Sequence, residues 1–563
     1  MKSSSSVDTS AASARRSRAI SVVDVSQAPA RATRFVLPLQ RLLMVSATPL
    51  LCVSAAHAMD FDTGNPDLKL RWDNSVKYSI AFRVRDPSAV LLSDPNQDDG
   101  DRDFRKTGLI SNRVDLLSDL DIIYKEDFGL RVSGAAWYDT VYNRRNENDS
   151  PATVNAISVT PNEFTHATRD QQGRDAEVLD AFVFSKGQIG DVRWGARAGK
   201  HSLLWGETLF FGANGIAGGQ APVDLVKLLA VPGSQFKEII RPVDQLSGSL
   251  QLAPDVLIGA YYQLQWEASR LPAVGSYFAS QDLFVAGGER FFLGGPILRR
   301  GADLEGKNSG QGGLQVRFRL PDGQTDYGLY AIRFNEKTPN LYLNIPLGTY
   351  SIAYQDGVKS VGASASRTFG DLNLAGEVSV RHNASLVNIG TANFTGADAT
   401  ADHPLYPVGN TAHANLSTLW TLPSNLLFNE GTFLGEVAWN RRLRVTNGGT
   451  MAAESTRDAW ALRMQVVPTY RQALAGLDLD VPIGLGYNPQ GRSQAVSFFN
   501  GGASKGGDAS IGLAGNYLNT WKLGLNYTHY FGAAAPALVN GELSFKQSLL
   551  DRDFVSLSVQ TTF

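Results

Sequence analysis

Charged side chains recur in this chain at every second or fourth position within apolar runs, a spacing that gathers them on one side of an extended backbone. Arg71, Arg83, Asp115, Asp119, Asp121, Arg131, Arg193 and Arg197 form the clearest set, with Arg317 and Arg319 further along. The chemistry open to such a set is electrostatic. Opposed guanidinium and carboxylate groups lining water place a transverse field across it and sort small solutes by charge, so these residues are read as pore-lining or ligand contacts. The same residues would serve equally as internal pairs that brace a wall, and the two readings stand side by side. Asp115, Asp119 and Asp121 crowd one strand face, and their repulsion calls for a cation on the neighbouring strand, where Arg131 falls.

Other constellations carry less. Arg381-His382-Asn383-Ala384-Ser385 has the residue types of an outer-membrane lipid hydrolase but not its spacing, so no catalytic residue is assigned. His166, His201, His382, His403, His413 and His529 are scattered and form no metal-ligand motif. The acidic run at 94–103 (DPNQDDGDRD) offers the oxygen ligands calcium takes, but it lacks the closing Glu of an EF-hand and reads as a solvated loop. Cys52, the single cysteine, lies in the N-terminal leader, which removes disulfides, thiol nucleophiles and cysteine-bound metals from the rest of the chain. No metal and no cofactor is expected.

The elements that position the charged ladder are strands. From 68 to 84 the even positions read Leu68, Leu70, Trp72, Asn74, Val76, Tyr78, Ile80, Phe82 and Val84, and the odd ones Lys69, Arg71, Asp73, Ser75, Lys77, Ser79, Ala81 and Arg83. Successive side chains of a strand leave on opposite faces, so one face is apolar, the other is charged, and the ribbon is long enough to cross a bilayer when tilted. The pattern returns at 114–124 and 128–138, joined by the tight turn Lys125-Glu126-Asp127, and similar runs begin near Glu177, Asp191, Gln245, Val256, Gln311, Thr325 and Val358. Others begin near Leu372, Thr411, Thr432, Trp460, Leu477, Ser510 and Trp521, and with the C-terminal run the count is about 18. Short turns such as Ala253-Pro254-Asp255 and Pro423-Ser424-Asn425 alternate with polar loops at 86–112, 142–174, 267–309 and 382–410.

A soluble β-sandwich also alternates, but it has no need of this long–short asymmetry or of aromatics near strand ends such as Trp72, Tyr138, Trp266, Trp439 and Trp521. No stretch after residue 60 approaches the 20 apolar residues that a spanning helix needs. The expected fold is therefore all-β: a transmembrane antiparallel up-and-down barrel of 16–18 strands, closed because an open edge in hydrocarbon leaves backbone groups unpaired.

One segment breaks the alternation. Between 202 and 242 the chain is rich in Gly and Pro and carries a short helical signature at 222–230, bounded by Pro222 and by Pro232-Gly233. So apolar a segment is best placed inside the barrel mouth as a constriction or plug, a lid over the rim being the alternative. Trp205, Glu207, Phe210, Asp224, Lys227 and Phe236 are its candidate gate or ligand residues.

The ends of the chain give the address. Seven basic residues precede an apolar core at 42–56, and Ala56-His57-Ala58 completes an export signal, so 1–58 is read as a signal peptide and 59–563 as the barrel. The leader's 7 basic and 2 acidic residues, taken from 52 and 54, leave 45 and 52 and a net charge of −7, which gives no footprint for nucleic acid. The final strand alternates Val555, Leu557, Val559 and Phe563 against Ser556, Ser558, Gln560 and Thr562 and ends on an aromatic residue. Outer-membrane barrels end this way, and Phe563 is the expected contact with the barrel-assembly machinery in a Gram-negative outer membrane.

The stretches GNPDLKLRWDNSVKYS, SNRVDLLSDLD, LLWGETLFFGANGI, VDLVKLLAVPGSQFKEIIRPVDQLSGSLQL and LLDRDFVSLSVQTTF resemble the proteobacterial domain-of-unknown-function family numbered 1302. The resemblance spans the whole mature chain and brings no catalytic or ligand residues with it. It implies company with efflux-type transporters and with catabolism of lipids, steroids or aromatics. The expected function is a channel or transporter for small hydrophobic or amphipathic molecules, gated by 202–242. An exporter working with a periplasmic partner, a non-transporting surface scaffold and a lipid hydrolase are the alternatives.

Overall fold

Backbone groups in hydrocarbon must find their partners within the chain, and in the computed structural model they do so by closing one antiparallel sheet of 18 strands on itself. The structure describes residues 59–231, 239–321, 323–394 and 404–563. The expected leader at 1–58, Phe236 and His403 lie outside the described residues.

The wall runs in sequence order. It begins with β1 (Leu68–Arg83), β2 (Gly108–Tyr124), β3 (Phe128–Asp139), β4 (Arg174–Ile189), β5 (Val192–His201) and β6 (Val243–Ala253). Next come β7 (Val256–Gln263), β8 (Gln311–Arg319), β9 (Thr325–Phe334), β10 (Val358–Phe369), β11 (Leu372–Ser385) and β12 (Val408–Leu422). It ends with β13 (Glu430–Asn447), β14 (Asp458–Leu474), β15 (Leu477–Asp480 with Ile483–Gly491), β16 (Gly507–Tyr517), β17 (Trp521–Phe531) and β18 (Phe554–Thr562). β18 returns to β1, with Ser75 opposite Thr562 and Arg83 opposite Phe554. Phe563 extends that seam by exchanging backbone hydrogen bonds of 2.6 and 2.8 Å with Asn74. β15 is interrupted at Pro482, which has no N–H to give the ladder.

Register assigns the faces. Arg71 lies opposite Asp121, which lies opposite Arg131, and the same face runs on through Ser364, Glu377 and Asn415 and back to Gln560 and Lys77. The other face is apolar around the whole circumference: Leu116, Leu416, Val378 and Ile511 are all exposed, Leu416 to 61%. A continuous apolar exterior of this extent belongs against lipid. The chain is thus a membrane-spanning β-barrel with its polar face turned inward.

All long connections leave one end of the barrel and all short turns the other. In the β2–β3 turn, Lys125 and Glu126 both adopt positive φ, 50° and 62°, the left-handed pair whose twist matches a two-residue hairpin. The long connections are more than solvated loops. Arg290–Phe292, Ile297–Arg300, Asn340–Asn344, Thr349–Ala353 and Thr391–Asn393 form a second sheet above the barrel mouth, over a core that includes Trp266, Leu283, Tyr350 and Ile352, and with the other long connections they make up the cap. These strands are 3 to 5 residues long, too short for an apolar period to show. The expected loop at 382–410 is correspondingly shorter, since 382–385 complete β11 and 408–410 begin β12.

An arginine placed at the centre of a lipid-facing strand tests this orientation. Leu416→Arg should destabilise the barrel in phospholipid vesicles by roughly 2–4 kcal/mol in urea titrations; a change under about 1 kcal/mol would mean that residue 416 does not face hydrocarbon.

Candidate functional site: the lumen and its insertion

The connection that follows β5 turns down into the barrel. Its anchors are two inward glutamates, Glu377 on β11 and Glu436 on β13, each nearer the short-turn end of its strand than the cap. Both are buried, at 4% and 3% exposure. Glu377 accepts the backbone N–H of Glu207 at 2.7 Å and that of Ile216 at 2.9 Å. Glu436 accepts the N–H groups of Leu209, Phe210 and Phe211 at 3.1, 2.5 and 3.0 Å, and the Thr208 hydroxyl and Asn415 amide at 2.8 and 2.6 Å. A carboxylate in a dry pocket is tolerated when its lone pairs are filled in this way, and each charge-assisted bond contributes about 1.5–3 kcal/mol. A Cβ at Gly206, where φ is +93°, or at Gly215 would run into the Glu377 carboxylate, so glycine is what lets the chain come this close.

Further contacts fix the turn between the anchors. Asn214 donates to Asn415 Oδ1 at 2.8 Å and to the Trp439 carbonyl at 3.1 Å. Arg381 donates to the carbonyls of Ala213 and Gly215 at 2.9 and 2.7 Å. The apolar side chains face the wall as well: Trp205, 6% exposed, meets Tyr261 edge-on at 4.9 Å and clusters with Ile216, Tyr330, Ile332 and Phe334. Phe210 and Phe211 pack with Ala438, Ala461 and Phe499. Trp205 and Phe210 therefore sit as anchors in the wall.

The remaining insertion residues fall as follows. Glu207 reaches Arg317 on β8 at 3.4 Å. Asp224 caps the helix Leu225–Ala230 by accepting the Lys227 N–H at 3.0 Å, which starts that helix three residues later than Pro222 suggests. Its other oxygen holds Arg270 at 3.0 Å, and Arg270 also grips Glu177 at 2.5 Å. Lys227 is exposed on the helix.

The wall opposite the clamp carries the charged ladder. Arg131 binds Asp119, Asp121 and Asp180 at 3.1, 3.3 and 3.6 Å, as the crowding of carboxylates on β2 requires. Asp115 pairs with Arg113 at 2.7 Å and Arg71 with Asp73 at 2.7 Å. Arg193 and Arg197 are exposed, and Arg197 lies over the Phe182 ring at 5.6 Å. Arg83 corrects the expectation of a solvent-lined ladder. It is 1% exposed and held by Asp101 and Asp551 at 2.9 and 3.4 Å, because the last residue of β1 is roofed by the cap.

Glu377, Glu436 and Asp180 are absent from the residues singled out in the sequence, and Arg381 figures there only beside His382 and Ser385. A signal for the two anchors exists, since each is the acid of a Gly-Glu-Val triplet, at 376–378 and at 435–437, with no other charged residue within three positions on either side. The residue types of a hydrolase at 381–385 are not assembled: His382 is exposed, while the Ser385 hydroxyl donates to Glu336.

A family model described as a protein of unknown function, DUF1302, matches residues 39–563. No curated protein matches the chain. Among solved structures the chain is similar to Pseudomonas aeruginosa OccK1 (OpdK), at 11% identity and a TM-score of 0.38 over 88% of this chain and 98% of that one. It is similar to Salmonella typhi OmpF in complex with daunomycin, at 8% identity and a TM-score of 0.35 over 90% and 100% of the two chains. A third is the outer membrane channel DcaP of Acinetobacter baumannii, at 8% identity and a TM-score of 0.37 over 90% and 100%. Scores this low bear on neither the site nor its solute.

Glu436→Gln keeps the shape of the anchor and removes its charge. Hydrogen exchange at the Leu209, Phe210 and Phe211 amides should accelerate about 10- to 100-fold, as loss of charge-assisted bonds worth 1.5–3 kcal/mol implies. Exchange unchanged at these three amides would show that Glu436 does not hold the insertion.

Proposed function

The chain belongs to the family of unknown function DUF1302, and from that premise we propose that it is an outer-membrane channel through which small amphipathic molecules pass. The observation that carries this reading is the asymmetry of the lumen. Residues 205–216 of the insertion lie along β8 and β11–β13, tied there by Glu377, Glu436 and Arg317. Arg241, and Asp224 through Arg270, meet β4 at Glu177, near its mouth end, while β2, β3 and β5 keep a row of charged side chains open to solvent, among them Arg193 and Arg197. A loop fastened to one side of a closed barrel narrows the passage and leaves the other side for solute and water. The charges on that open side then sort what enters.

Amphipathic solutes fit the pairing of ring and cation on the open wall. The Phe182 ring beneath Arg197 gives an apolar surface beside a fixed positive charge, suited to a molecule with a hydrophobic body and an anionic end. Trp205, Phe210, Phe211 and Ile216 of the insertion are committed to the wall.

Planar-bilayer recording of the purified barrel tests the proposal. The intact protein should conduct, and replacing 208–216 by a short Gly-Ser link should raise the single-channel conductance about twofold or more. Equal conductance in both would remove the constriction from the account, and silence in both would remove the channel. Arg197→Glu should move the reversal potential toward cation preference under a salt gradient; an unmoved potential would mean that Arg197 does not meet the permeating ion.

A further inference from the structure

The cap contains a set of acids that the lumen does not use. Asp98 and Asp99, in the connection after β1, meet Asp282 from the connection after β7, and one carboxylate oxygen from each lies within 4.8 Å of the other two. Asp98 and Asp282 are 0% exposed and Asp99 is 2% exposed. Asp98 has Arg102 at 2.5 Å, but the two fully buried arginines nearby, Arg83 and Arg552, are engaged by Asp101 and Asp551. Asp99 and Asp282 share no such partner among the described residues.

The second observation is an orphaned oxygen. Asp282 Oδ2 accepts the Asp99 N–H at 3.1 Å, but Asp282 Oδ1 is buried with no hydrogen-bond partner. Asn155 of the connection after β3 completes the pocket, its N–H donating to Asp99 Oδ2 at 2.8 Å, and its own Oδ1 is likewise buried and without a partner. An isolated buried carboxylate costs several kcal/mol unless a positive charge answers it, and folding has brought three together from two separate connections. Calcium binds oxygen ligands at 2.3–2.6 Å, so oxygens up to about 5 Å apart can share one ion.

We propose that Asp98, Asp99 and Asp282 bind a calcium ion that cross-links the outer loops of the cap. The carboxylates supply the charge, and Asn155, whose N–H already meets Asp99, offers a buried and unpartnered neutral oxygen from a third connection. Because the ligands come from the connections after β1, β3 and β7, the ion fastens three loops above the mouth at one point. It is a structural ion, remote from the lumenal clamp.

Calcium titration of the full barrel, refolded in detergent, stripped with chelator and kept at physiological salt, tests the site. Isothermal calorimetry should show one saturable site per chain, and terbium luminescence should report the same stoichiometry. Asp282→Asn keeps an acceptor for the Asp99 N–H and should weaken calcium about tenfold or more, with the barrel still folded by its heat-modifiable mobility in gels. If that variant does not fold, Asp98→Asn is read in the same way. Absence of saturable calcium binding to the folded wild-type barrel, or binding unchanged in a folded variant, would overturn the proposal.

Discussion

Hydrocarbon offers no hydrogen bonds, and a chain that crosses it in strands must therefore hydrogen-bond the last strand to the first. Here the seam between β18 and β1 meets that demand, from Ser75 opposite Thr562 to Arg83 opposite Phe554. Closure divides every strand into an outward and an inward set of side chains, and much else in the molecule follows from that division. The outward set is apolar because lipid surrounds it. The inward set is free to be charged, because what it encloses is water or other protein.

The inner face is used in two ways. On β2–β5, acids and arginines pair with one another and remain partly open, as in the Arg131 cluster with Asp119, Asp121 and Asp180. On β11 and β13 the same alternation buries Glu377 and Glu436, whose partners are backbone N–H groups of a loop entering from above. Backbone donors suit a buried carboxylate because they are fixed in direction and carry no side-chain entropy to lose. The insertion is thereby positioned by its main chain, while Trp205 and Phe211 fill the space behind it. At the mouth, Arg83 and Arg552 tie the cap to the first and last strands through Asp101 and Asp551.

Much of this was legible in the sequence, because a period of two is a local property. Strand starts expected near Val256, Gln311, Thr325, Val358, Leu372, Leu477 and Trp521 coincide with those observed. Less regular runs shift by a few residues, as where β2 begins at Gly108, ahead of its alternating part. The break in the strand pattern at 202–242 was also legible, from its Gly, Pro and apolar content. What holds the segment was not, because Glu377 and Glu436 lie far along the chain from residues 207–216 and join them only through register. The cap hid for a related reason: its core is assembled from short pieces of several connections. Arg83 marks the limit, since periodicity gives its face correctly but says nothing of the roof above it.

The absence of cysteine beyond Cys52 makes the division of faces directly measurable. Single cysteines placed at successive positions of β18, from 555 to 560, can be challenged with a membrane-impermeant, water-soluble thiol reagent in intact lipid vesicles. Reaction at 556, 558 and 560 with protection at 555, 557 and 559 is the result the closed, water-lined barrel requires. Uniform reactivity along the strand, or the opposite alternation, would contradict it.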